Sequence, residues 1–525
     1  MRSTFFGIEM SKKSLFTQQA ALTTTGHNIS NANTQGYSRQ VVNMVASKPL
    51  EPLMMSRSAS PGQVGQGVEF DQIKRIREKF LDDQFHHESK FLGEWTIRRD
   101  TLDKIEAIIN EPSDTGIRQV LENFWNSWQD LSKEPDNLTA RAVVKERTMS
   151  LVDALNYSAT QLRDLSTDLT NSVRVKVTEM NTFIFQIAEL NSAIYRIEGL
   201  GDQANDLRDQ RDLLLDKLAK ISNITMQEDQ FGFNVKMGDI ELVRGKEIKK
   251  TITFEEMDSL RDQGHINSGE VFGMMYARDN IVSNYRTQLD ALAKTLATGK
   301  TKTTLPKGTV IPEGAVINGV TYTGSILDRT LPNTLNIEVD GLNGLHKLGY
   351  SLTKTLHSGE GFFATSDGSD EITAANITLN SMIYEDVRYI SSSFRTYMDG
   401  SAEKVVGGNA DLALAIAGMR NMTFDFDPEQ NKNMILSDGT FEEFYRSAIG
   451  QIGVQSQEAN RQAENQKVLV EQVESRRQSI SGVSLDEEMA NMMKFQHAYN
   501  AAARALTTFD EMLDRVINNM GQVGR

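Results

Sequence analysis

The sequence predicts a mainly α protein with a β-rich middle insertion: paired N- and C-terminal helices, a long helical bundle domain, and an outer β-containing domain. Three observations carry this. Residues Gly482 to Met520 hold an unbroken heptad row, residues 4–30 hold a shorter one, and the periodicity between them changes from helical to alternating and back.

The C-terminal row is Leu485, Met492, Tyr499, Leu506, Leu513 and Met520, with Met489, Ala503 and Ile517 on one flank and Phe495, Ala502, Phe509 and Val516 on the other. Flanking rows three residues away lie about 60° off on a helix, so the stripe is roughly 120° wide, broader than a two-stranded coiled-coil seam. Ser484, with Glu487 three residues on, offers an N-cap, and no Gly or Pro interrupts the run before Gly521. The N-terminal row is Ile8, Leu15, Leu22 and Ile29, with Phe5, Phe16 and Ala20 near it and Ser3 or Thr4 available as a cap. Pairing the two stripes is the simplest way to bury both, and it would bring the termini together. Docking each on its own neighbouring domain fits the spacing equally well.

The N-terminal helix runs into Asn28, Asn31, Asn33, Gly36 and Tyr37. Asparagine amides compete for local backbone groups and tolerate left-handed dihedrals, so this cluster is expected to end the helix in a defined turn. Ser38 to Val45 alternates as a short strand, and residues 56–67 read as a Ser/Gly/Pro-rich connector. From about Asp71 to Ser222 the pattern is helical. Val177, Met180, Ile184, Ile187, Asn191 and Ile194 alternate spacings of three and four, with Asn191 either fixing register or facing water. Phe124, Trp125 and Trp128 read as an aromatic core cluster. Phe231–Val243 alternates as strands, Glu270 to Thr298 as one long helix with Leu289, Leu292 and Leu296 on one side, and residues 299–380 as a Gly- and Thr-rich β region. Helical signal returns near Ala410 and is strong from Thr440 to Ser479. The shifts divide the chain into a terminal assembly region (1–45 with 480–525), a helical bundle (46–222 with 381–479) and a β-rich outer domain (223–380). That outer domain contains a long helix at about 270–298 and an insertion at 299–340.

The net charge of −15 argues against nucleic-acid and anionic-membrane partners, and no apolar run is long enough to span a bilayer. The chain has no cysteine, which removes disulfides, thiol nucleophiles and thiolate metal sites. The N-terminus lacks the apolar core of a cleaved signal peptide, so export would need another route. No catalytic, cofactor or metal constellation emerges. His86-His87-Glu88 places adjacent histidines about 100° apart on a helix and reads as an exposed face. Asp367, Asp370 and Glu371 miss calcium-loop spacing and read as a polar turn. Gly400–Gly408 lacks the lysine and glycine spacing of a phosphate loop.

The run LTTTGHNISNANTQGYSRQ (Leu22 to Gln40) resembles the N-terminal signature of the bacterial flagellar rod, hook and hook-associated axial proteins. SGVSLDEEMANMMKFQHAYNAAARAL (Ser481 to Leu506) resembles their C-terminal signature. Gly36 to Gln40 is similar to the version in the family's hook–filament junction branch, as are Asn205 to Asp212 and Leu345 to Tyr350. Residues 299–340 depart from the pattern, in which the helix near Leu296 leads almost directly into the Gly-Leu-His segment. The resemblance implies a non-enzymatic structural adaptor, exported through the flagellar type III apparatus and located outside the cell at the hook–filament junction. Its paired terminal helices would line the inner tube, with order acquired on assembly. Implied partners are further copies of the chain, the hook protein, the next hook-associated protein on the filament side and an export chaperone holding the C-terminal helix. A hook or rod subunit of the same family is the nearest rival. An axial protein with cell-wall hydrolase activity would need two carboxylates flanking a sugar cleft, and no such motif is evident.

Overall fold

The computed structural model describes residues 5–48, 65–110, 113, 116–229, 232–353, 355–427 and 434–518. Ser3, Thr4, residues 56–64, Phe231 and Met520, named above, lie outside the described residues. In chain order, helix α1 (Phe6–Asn31) leads into strands β1 (Gln40–Ala46) and β2 (Val68–Arg75). Four helices follow: α2 (Lys79–Ile109), α3 (Ile117–Lys133), α4 (Leu138–Glu198) and α5 (Asn205–Ile221). Strands β3 (Ile224–Asp229), β4 (Gly232–Met237), β5 (Ile240–Arg244) and β6 (Glu247–Ile248) form an antiparallel meander. After α6 (Met257–Asp262), the helix expected over 270–298 is found as α7 (Glu270–Tyr276), a π-helical stretch (Ala277–Val282) and α8 (Ser283–Thr298).

The region 299–380 is a set of two-stranded pieces rather than one sheet. Strand β7 (Lys300–Leu305) precedes the hairpin β8 (Val316–Ile317) and β9 (Val320–Thr321), then comes α9 (Ile326–Arg329). Strand β10 (Leu335–Asp340) returns to pair with β7, and α10 (Gly341–Lys347), β11 (Phe363–Thr365), β12 (Ile377–Leu379) and α11 (Ser381–Glu385) follow. A further hairpin, β13 (Thr396–Asp399) and β14 (Ala402–Val405), lies in the span assigned to the helical bundle; helix α12 (Asp411–Gly418) then begins where helical signal was expected to return, followed by the short pair β15 (Phe424–Asp425) and β16 (Asp438–Gly439). The chain ends with the helices α13 (Phe441–Ser481) and α14 (Leu485–Asn518).

These elements group into two compact units: 1–95 with 174–273 and 463–525, and 96–173 with 274–462. Every seam of this division falls inside a helix, in α2, α4, α7 and α13. A composition shift cannot mark such a seam, because one continuous periodicity runs through it. In the second unit, Phe124, Trp125 and Trp128 are buried, with Phe362 5.3 Å from Trp128 and Phe441 5.9 Å from Trp125 between ring centres. In the first, Val177, Met180, Ile184, Ile187 and Ile194 are buried along α4. Asn191 is buried with them, and its amide donates to the carbonyls of Gly245 and Phe233, so it ties α4 to the meander rather than facing water. His86 corrects the expectation of an exposed face. It is buried and bonded through Nε2 to Asp216 at 2.7 Å, while His87 is exposed. Asp367 sits in a polar turn, accepting from Ser369 and Asn376.

His346 anchors the second unit. Its Nδ1 donates to the Glu360 carbonyl at 2.6 Å, and its Nε2 accepts from the Ser391 amide at 2.9 Å. That pair of bonds requires the neutral ring. Burial, only partly offset by the Glu360 carbonyl, pushes its pKa down to about 4. The unfolded chain therefore takes up this proton first. The contribution of His346 to stability is complete above pH ~6.5 and falls away as pH drops toward 4, by up to about 3 kcal/mol. Urea unfolding of the second unit's signal between pH 7.5 and 4.5 is expected to show this slope, and His346→Gln is expected to be less stable at pH 7.5 but to lose less on acidification.

Candidate assembly interface

Helix α1 carries two different faces. The large apolar residues Ile8, Leu15, Leu22 and Ile29 are half-buried, whereas the buried positions are small or polar: Ser11, Thr17, Ala21, Thr24, Thr25 and Asn28. The heptad row is thus only partly covered within the chain. The reason is that α1 has two neighbours. Lys13 reaches Glu69 and Ser47, and Thr17 Oγ1 lies 3.4 Å from the Val68 carbonyl, which seats α1 on the β1–β2 hairpin. Its packing against α14 is the most extensive between any two elements among the described residues.

The two helices run antiparallel, because the start of α1 meets the far end of α14 and the end of α1 meets its start. At one end, a Cβ built on Gly7 would lie 2.6 Å from the Phe509 ring, so the backbone of α1 rides directly on that aromatic face. At the other end, Asn28 contacts Glu488. Along α14, Leu513 is buried, and Met492, Tyr499, Leu506 and Phe509 are half-buried. Leu485 and Met489 are 50% and 52% exposed and lie outside the pair, on a ridge with Met493 at the same spacing. The helix begins as expected, with the Glu487 amide 3.5 Å from Ser484 Oγ and the Glu488 amide bonded to the Ser484 carbonyl.

The turn after α1 forms the root of the pair. The helix ends at Asn31 as expected, with the Asn31 side-chain amide donating to the His27 carbonyl and the Thr34 amide donating to the Asn31 carbonyl, while Asn33 is exposed. Gly36 adopts φ +82° with Leu213 packed against it, a conformation and a space that exclude a side chain. Asn28, however, is no turn former. It lies inside the last turns of α1, buried, with every amide lone pair and proton engaged across the chain. Its Nδ2 donates to the Gln40 carbonyl at 2.8 Å and to Glu488 at 3.0 Å, and its Oδ1 accepts from the Gln40 amide at 3.0 Å and the Tyr37 hydroxyl at 2.8 Å. Burial and the carboxylates of Asp206, Asp209 and Glu488 raise the Tyr37 pKa, which keeps that hydroxyl a donor.

Arg39 completes the node. Its guanidinium bonds Glu488 and Glu487 at 2.8 Å, and its amide donates to the Ser481 carbonyl at 2.8 Å. Next to it, α5 presents acids to the same segment. Asp209 accepts from the Ser38 amide at 2.9 Å and from Arg75 at 2.6 Å, Asp206 accepts from Gln40, and Arg77 spans Asp82 and Asp212. Burial opposes the charge of Asp216, but hydrogen bonds from His86 and Arg477 outweigh it and hold the carboxyl down to about 2. Glu488, Arg39 and Arg477 were not singled out from the sequence as site residues. For Arg39 and Glu488 the signal is an acid and a base inside the two terminal motifs, which spacing rules for apolar residues do not weigh; Arg477 lies just before the second motif.

The candidate site is therefore a surface made from both chain ends, locked at its root by buried charge. No helix among the described residues is long and apolar enough to cross a membrane. The family model "Flagellar hook-associated protein FlgK helical domain" matches residues 102–300, and "Flagellar basal body rod FlgEFG protein C-terminal" matches residues 474–520. The chain is 31% identical to flagellar hook-associated protein 1 of Bacillus subtilis, covering 100% of both chains. It is 25% identical to the protein of that name from Escherichia coli, over 95% of this chain and 97% of the other. The solved structure of the flagellar hook junction protein FlgK from Burkholderia pseudomallei aligns with 77% of this chain and all of its own, at 14% identity and a TM-score of 0.47. The chain belongs to the flagellar hook-associated protein 1 family.

Two outcomes test the interface. Gly7→Ala would gain at most about 1 kcal/mol of helix propensity but forces about 1–3 kcal/mol of overpacking against Phe509. Hydrogen exchange of α1 amides is expected to speed up, and Gly7→Ala with Phe509→Ala is expected to restore part of the protection. Asn28→Asp removes two donated bonds and sets a carboxylate beside Glu488, a loss of about 3 kcal/mol. Thermal unfolding is expected to show that loss. Adding Glu488→Gln is expected to recover some of it, because the new amide can donate to the carboxylate introduced at position 28.

Proposed function

We propose that this protein is a structural adaptor of the bacterial flagellum that polymerises at the distal end of the hook and joins hook to filament. Membership of the hook-associated protein 1 family supports the role. The single observation that carries the mechanism is the antiparallel α1–α14 pair, which leaves two rows of large apolar side chains only half covered. In one chain such rows are costly to expose, and further copies stacked side by side would cover them. The assembly region would then be 1–45 with 480–525, with 46–222 and 381–479 as a helical bundle and 223–380 facing outward.

In this reading the work is mechanical and needs no catalytic group. The hook protein lies on one side, the next hook-associated protein on the other, and the assembled subunits stand outside the cell. Before that, the chain travels unfolded through the type III apparatus, with an export chaperone holding α14. The exposed ridge of Leu485, Met489 and Met493 offers that chaperone an apolar strip of helical spacing.

Electron microscopy of source cells lacking the gene is expected to show hooks without filaments, with monomeric flagellin in the medium. Missing hooks would move the protein down to the hook or rod, and normal filaments would overturn the role. Removing 485–520 is expected to abolish incorporation while the second unit stays folded. Leu506→Asp, which sets a charge into a half-buried contact that must exclude water, is expected to reduce incorporation at least about tenfold, since an uncompensated buried charge costs several kcal/mol.

A further inference from the structure

A cavity of about 490 Å³ opens within the first unit, between the C-terminal end of α4, helix α5 and the β3–β6 meander. It is separate from the α1–α14 pair and takes no part in the role proposed above. Its volume lies in the range of sites that hold small organic ligands.

Charge in the cavity runs against the chain as a whole. Five cationic side chains and three carboxylates line it, in a protein whose net charge is −15. The carboxylates are largely committed. Glu198 forms a two-pronged pair with Arg208 at 2.6 and 2.7 Å, Glu228 lies 3.6 Å from the same guanidinium, and Glu247 bonds Lys249. The surplus positive charge is therefore carried by Arg211 and Lys246, with Arg244 beside them in the lining.

Arg211 is the informative one. It is 4% exposed, yet its polar contacts are long: 3.3 Å to Asn191 Oδ1 and 3.4 Å to Asp212. Asp212 is shared with Arg75 at 3.0 Å and Arg77 at 3.5 Å, so it does not belong to Arg211 alone. One face of the guanidinium lies on the Phe233 ring, 4.0 Å from its centre, which fixes the plane of the fork. A buried guanidinium of fixed plane, with weak partners, at the wall of a cavity is a pre-set receptor for a planar or tetrahedral oxyanion. The rest of the lining is not purely ionic. Ile194, Phe233 and Tyr195, the last 69% exposed at the rim, supply apolar surface for a carbon skeleton.

We propose that this cavity binds a small organic oxyanion, a sugar-sized body carrying one phosphate or carboxylate group, with the anionic group on Arg211 and the rim cations Arg244 and Lys246 and the skeleton against Tyr195 and Phe233. The fork of Arg211 sets the orientation. The exposed rim cations raise the local anion concentration and the rate of entry.

The full-length chain is titrated with glucose 6-phosphate, glucuronate and, as the neutral control, glucose, at about 50 mM salt so that screening is modest. Saturable heat of binding, with a raised thermal midpoint, is expected for at least one of the two anions, and the stronger one tells phosphate from carboxylate. Glucose is expected to do neither. Lys246→Glu, at an exposed position, is expected to leave the unliganded midpoint unchanged and to weaken the anion at least about tenfold. Lys302→Glu, an exposed lysine in the other unit, is expected to leave affinity unchanged. Absence of saturation by both anions, binding of glucose as tight as theirs, or equal weakening by the two lysine reversals would overturn the proposal.

Discussion

The arrangement of the first unit's terminal elements depends on one buried contact, the meeting of Asn28, Arg39 and Glu488. Glu488 is 2% exposed, and a carboxylate so placed is tolerable only with its oxygens occupied. Arg39 neutralises it, and Asn28 binds its second oxygen while also holding the Gln40 amide and carbonyl. One side chain from the last turns of α1, one from the turn beyond it and one from the first turn of α14 thus fix each other. Their joint satisfaction sets the register of the helix pair, because a shift of one residue would strand all three.

Register set by polar groups explains why the apolar rows can stay half covered. Were Ile8, Leu15, Leu22 and Ile29 the source of specificity, they would have to interlock fully with α14. Instead α1 presents small residues to its own neighbours, and Gly7 allows the closest approach, on Phe509. Small side chains give intimate backbone packing but bury little area, which leaves the larger rows half covered at the flank. The polar root fixes geometry, and in the assembly proposed above the apolar flank would supply the driving force.

Much of this was legible in the sequence. The C-terminal helix, its Ser484 start, the strand after the Asn-rich turn and the aromatic cluster of α3 all follow from periodicity and local chemistry, whereas spacing alone left the terminal pair level with separate docking of each helix. What escaped was long-range. Asn28 carries the composition of a turn residue, but its partners at Gln40 and Glu488 overrule the local preference. His86 looked like surface because its partner, Asp216, lies 130 residues away. The β13–β14 hairpin hides in a stretch whose flanks are helical, and the unit boundaries pass through continuous helices where no local signal can change. Asn191 shows the intermediate case: its seam position was evident, and only the carbonyls of the meander decide its role.

The bond between Asn28 and Glu488 joins positions 460 residues apart. Closing a free loop of that length would cost on the order of 5 kcal/mol in chain entropy before any contact repaid it. The cost shrinks only when the residues between have already collapsed and brought the two ends near. The helix pair is accordingly expected to close late in folding, because contacts of such long sequence separation are slow to form. Delay is built into the order of residues along the chain: the two ends can meet only once much of the middle has gathered.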